Sequence, residues 1–76
     1  MNEATKTICD WLQNQPGVVD LVNTLAKVDP GAAIPALKRE VERVPDHFPK
    51  GTDLSTVDYI EALAEVRRLA RLHGRP

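Results

Sequence analysis

Asp46 and His47 are the only neighbouring acid–imidazole pair in the chain, the arrangement from which a general base could be built. Adjacent side chains in a loop point apart, and no Ser or Cys is spaced to complete a nucleophilic triad with them. Asp46 therefore reads as a turn residue and His47 as a solvated one. Cys9 is the lone thiol, flanked by Ile8 and Asp10 beside an apolar stripe. A single cysteine in that setting is expected to be a small buried hydrophobe. It leaves no intramolecular disulfide and points to a reducing, cytoplasmic setting. With His47 and His73 it offers no ligand spacing such as paired C-x2-C or H-x3-H, so no metal is expected. The four glycines, Gly17, Gly31, Gly51 and Gly74, are too widely separated to cradle a phosphate.

The stretch from Asp53 to Leu63, beginning Asp53-Leu54-Ser55, locally resembles the Asp-Ser-Leu helix start of acyl carrier proteins, where the serine carries phosphopantetheine. Here the order is Asp-Leu-Ser, and the stretch opens the last helix of the chain instead of a middle one. Ser55, with Asp58 three residues on, is accordingly read as a helix cap. No cofactor and no enzymatic activity are expected.

The elements that must position these residues are helical. Apolar positions recur with a period near 3.6, broken by Pro and Gly, over residues 3–14, 18–28, 35–44 and 55–73. The fold class expected is all-α, a single small domain built as a bundle or orthogonal array of four helices, the last being the longest. In the first, Ala4, Ile8 and Leu12 form the inward stripe with Trp11 beside it. Gln15-Pro16-Gly17 is expected to end that helix, with Gly17 free to take positive φ. In the second, Val18, Leu21, Val22, Leu25, Ala26 and Val28 share a side. Asp29 to Ile34 reads as a connector, with room for a short turn of helix nucleated by Pro30, and Pro35 as the first position of the third helix, whose narrow stripe is Leu37, Val41 and Val44. In the last, Tyr59, Ala62, Leu63, Val66, Leu69 and Ala70 face inward, and Gly74 suits the left-handed residue past the end. The irregular stretch 45–54 needs anchors, and Phe48 and Leu54 are the candidates.

A chain of 76 residues with 42% hydrophobic but only three aromatic residues must build its core from Val, Leu, Ile and Ala. A homodimer burying a further apolar face would relieve the shortage. Net charge is −1, which excludes a surface that is electropositive all over. The distribution is uneven. Residues 1–65 hold six Lys/Arg against eleven Asp/Glu, whereas residues 66–76 hold four Arg and no acid. No stretch is apolar for long enough to span a bilayer.

Two functions remain open. The first is a small non-enzymatic regulatory or adaptor protein that binds another protein by occlusion or bridging. Arg67, Arg68 and Arg71 would steer the partner, and Tyr59 or Trp11 would make apolar contact. The second follows from residues 18–44, two amphipathic segments about a connector, which look somewhat like a helix-turn-helix or winged-helix core. That resemblance implies DNA as partner, contacted through Lys38, Arg39 and Arg43. Glu40 and Glu42 would put negative charge on the same helix.

Overall fold

The computed structural model of the chain describes residues 1–73. Four α-helices follow one another, α1 (Glu3–Leu12), α2 (Pro16–Val28), α3 (Pro30–Arg43) and α4 (Tyr59–His73), and no strand occurs among the described residues. At 15 residues α4 is the longest, and it packs against each of the other three. Ile8, Leu12, Val22, Leu37, Val41 and Val66 are fully enclosed where the helices meet, with Ala33 and Ala62 filling the close approaches.

The inward stripes of α1 and α4 match the sequence pattern: Ala4, Ile8 and Leu12 are buried in α1, and Ala62, Val66 and Leu69 in α4. The stripe of α2 is rotated from the expected one. Val19 and Val22 are buried, while Leu21 and Val28 stand in water at 47% and 74% exposure. Adding Val19 brings the buried set to Val19, Val22 and Ala26, at spacings of three and four, and Leu21 falls outside that arc.

Helix boundaries differ from the expected ones at the prolines. Pro16 and Gly17 open α2 instead of ending α1, because the first helical position needs no N–H. Gly17 is helical, and the positive φ belongs to Gly51, at 91°. There it serves a tight turn closed by the Thr52 N–H donating to the Pro49 carbonyl at 3.0 Å. After Leu12 the chain tightens, with the amides of Gln13, Asn14 and Gln15 each donating three residues back.

The expected connector at 29–34 is helix. Asp29 alone separates α2 from α3, Pro30 occupies the first position of α3, and Pro35 lies inside it. Pro35 offers no N–H to the Gly31 carbonyl one turn back, and both residues lie on the exposed side of the helix. Burial of Ala33 and Ala36 on the opposite side of that turn favours the helix.

Ser55 does not cap α4. It lies in a separate helical turn, Leu54–Thr56, where its hydroxyl and its amide both donate to Asp53 Oδ1, at 2.6 and 3.1 Å. The cap of α4 is Asp58, whose Oδ1 accepts from the amides of Ile60 (3.0 Å) and Glu61 (3.2 Å). Gly74, expected past the end of α4, lies outside the described residues.

Candidate functional site

The residues that first suggested chemistry are dispersed. Cys9 is buried at 6% exposure, and burial, followed by the carboxylates of Glu65, Asp10 and Glu61, pushes its thiol up, away from the nucleophilic thiolate. His47 is exposed in a turn spanning Pro45–His47, and its Nδ1 accepts a hydrogen bond from Trp11 Nε1 at 3.2 Å. No group of three His, Cys, Asp or Glu side chains among the described residues is disposed to hold a metal ion. An open cleft of about 510 Å³ lies between the start of α1 and the turn at 49–53, lined by Asn2, Glu3, Thr7, Lys50 and Asp53 among others. Asn2 there is already committed: its Oδ1 accepts from the Thr5 amide and its Nδ2 donates to the Thr56 carbonyl at 2.7 Å.

The two aromatic candidates turn inward. Trp11 is half-buried and packs edge-on to Phe48, with ring centroids 5.2 Å apart. Together with its bond to His47, this makes Trp11 the clasp for the 45–54 stretch. Phe48 is buried, as the sequence implied, and Leu54 packs half-buried on the core. Tyr59 is half-buried with its hydroxyl enclosed and unpartnered. Burial, and after it the negative charge of Glu42, pushes the phenol up, so it stays protonated.

The outer face of α4 is different in kind. Ile60, Glu61, Ala64, Arg67, Arg68, Arg71 and Leu72 are all exposed, Ile60 at 74% and Leu72 at 64%. Twelve residues separate these two apolar ends, about 18 Å along the helix. Within the face Arg68 is engaged: its Nε and Nη2 donate to Glu65 Oε1 and Oε2 at 2.8 and 2.6 Å. This fork holds the Glu65 carboxyl below the usual carboxylate range, with burial opposing it. Arg67, Arg71 and Glu61 have no ion-pair partner among the described residues. Cations in the last turns also suit the negative end of the helix.

The candidate DNA-binding residues divide on α3. Lys38 and Arg39 are exposed without ion-pair partners among the described residues, while Arg43 Nη2 is held by Glu40 Oε1 at 2.9 Å. The first six positions of α3, Pro30 to Pro35, carry no charge.

Side-chain roles that the sequence reading missed are Thr5, Asp58 and His47. Asp58-x-x-Glu61 is a capping-box pattern written plainly in the sequence. Thr5, fully buried, accepts the Asp58 amide at Oγ1 (2.9 Å) across 53 residues, and no local signal announces such a tie. No protein-family model, curated protein or solved structure matches this chain. No helix among the described residues is long and apolar enough to cross a membrane.

Proposed function

We propose that this chain is a small non-enzymatic regulatory or adaptor protein that works by binding another protein through the outer face of α4. The supporting observation is the composition of that face. Two exposed aliphatic side chains, Ile60 and Leu72, bracket Arg67 and Arg71, cations left without ion-pair partners among the described residues. Exposed arginines beside apolar area are the groups that contribute most to docking, and their charge speeds encounter with an acidic surface. Arg68 joins them through its fork with Glu65. Tyr59 and Trp11, offered by the sequence as apolar contacts, are partly buried against the core, and Ile60 and Leu72 take over the contact itself. The enclosed thiol and the dispersed acids and imidazoles fit a protein that occludes or bridges without turnover. A cytoplasmic setting fits the single unpaired thiol of Cys9.

The test is capture and identification of a partner by the tagged chain, repeated with Arg67→Glu/Arg71→Glu. Loss of that same partner with the reversed pair, and its retention with Lys38→Glu/Arg39→Glu, is the expected result. Undiminished capture by the Arg67/Arg71 reversal would remove α4 from the account.

A helix-turn-helix DNA binder is the second reading. It draws on the exposed Lys38 and Arg39 and on the direct succession of α2 and α3. It requires duplex affinity that falls steeply with salt and is lost in Lys38→Glu/Arg39→Glu. Absence of a gel shift at low salt with folded protein would dispose of it.

A further inference from the structure

We propose that in solution the outer face of α4 is covered by the same face of a second copy of this chain. The two helices run antiparallel about a two-fold axis level with Val66. From Ile60 to Leu72 the exposed face reads apolar, acid, small, base, base, base, apolar: Ile60, Glu61, Ala64, Arg67, Arg68, Arg71, Leu72. The half-buried Glu65 borders it on the acidic side. The charges thus change sign at the middle of the helix. A parallel copy would set like charges level with one another. An antiparallel copy sets Glu61 level with the partner's Arg71 and Ile60 level with the partner's Leu72. Glu61 and Arg71 have no ion-pair partner within the described residues, and these are the charges the two-fold arrangement supplies with opposites.

The helix macrodipole alone favours acids early and bases late. It does not account for the two exposed aliphatic side chains that terminate the face, at 74% and 64% exposure. Ala64, close to the centre, has no long side chain to hold two helices apart, so axes could approach to about 8–10 Å. An isologous contact of this kind closes on itself and leaves no sticky edge for a third copy. The dimer stands without any other partner. A heterologous protein using the same face would displace the second copy, and the two ideas fail in different experiments.

Sedimentation equilibrium on the full chain decides it. One helix face makes a small, weak interface, so the series runs from about 10 μM to about 1 mM. The wild type is expected to pass from monomer mass to dimer mass, less readily as salt rises. Glu61→Arg and Arg71→Glu each set like charges level at two symmetry-related places. Each is expected to weaken the dimer about tenfold while the helical circular dichroism stays that of the wild type. An equimolar mixture of the two variants rebuilds every opposite-charge match and recovers dimer mass. Two results overturn the proposal: monomer mass for the wild type throughout the series, or dimers that both reversals leave unaltered.

Discussion

Where α1 meets the segment between α3 and α4, three hydrogen bonds involving side chains join residues 36, 53 and 54 apart in sequence: Trp11 to His47, the Asp58 amide to Thr5, and Asn2 to Thr56. Along α4 the side-chain hydrogen bonds span three residues or fewer. The difference follows from backbone accounting. The 44–58 segment has only two short helical turns, so some of its N–H and C=O groups must find partners elsewhere, and Thr5 and the cap residue Asn2 supply two of them. The backbone of α4 satisfies itself, and burial of Ala62, Val66 and Leu69 fixes its position. Its outer face makes no side-chain hydrogen bond to another element among the described residues.

Removing the apolar clamp of the tethered side should have the largest effect. Phe48→Ala empties a buried site against Trp11 and is expected to cost about 3 kcal/mol, measured by urea unfolding. The matching truncation on the free side, Ile60→Ala, should stay within about 0.5 kcal/mol, because Ile60 is already in water. Equal losses at the two sites would erase the contrast.

Thr5→Val keeps the shape of a fully buried side chain but removes the acceptor for the Asp58 amide. A loss of about 1–2 kcal/mol is expected, with faster hydrogen exchange at Asp58. Asp58→Ala strips the cap from the Ile60 and Glu61 amides in the first turn of α4 and should cost about 1 kcal/mol, read from the same unfolding curves.

The smallest effect belongs to the local pair on α4. Arg68 holds the Glu65 carboxyl below its ordinary range, so the carboxylate binds its proton less readily folded than unfolded. That stabilisation is present above the unfolded carboxylate value and is lost as pH falls through the lower folded one. Arg68 is exposed, so solvent screening keeps that contribution small. Glu65→Gln should therefore lower stability slightly near neutral pH, and the gap to the wild type should close in acid. A gap that widened on acidification would reverse the assignment.

The helical class and the inward stripes of α1 and α4 were legible because apolar spacing reports burial directly. Residues 29–34 were not. Proline rules placed the helix start at Pro35, whereas burial of Ala33 and Ala36 extends α3 back to Pro30. The cap of α4 was legible as Asp58 with Glu61, but Ser55 with Asp58 offers the same spacing three residues earlier. The ties of Thr5 and Trp11 depend on contacts across more than 30 residues, which periodicity does not encode. On the candidate surface Arg67, Arg68 and Arg71 were visible as a charge cluster. That Ile60 faces water while Tyr59 turns inward required the helix to be placed against its neighbours.

The most direct measurement of whether the outer face of α4 pairs with a second copy is the concentration dependence of backbone amide shifts in isotopically labelled protein. Shifts should move progressively at Ile60, Glu61, Ala64, Arg68 and Leu72 and stay fixed at Thr5, Trp11 and His47. Movement centred on α1 and the 44–58 segment, or no movement anywhere on α4, would contradict the account.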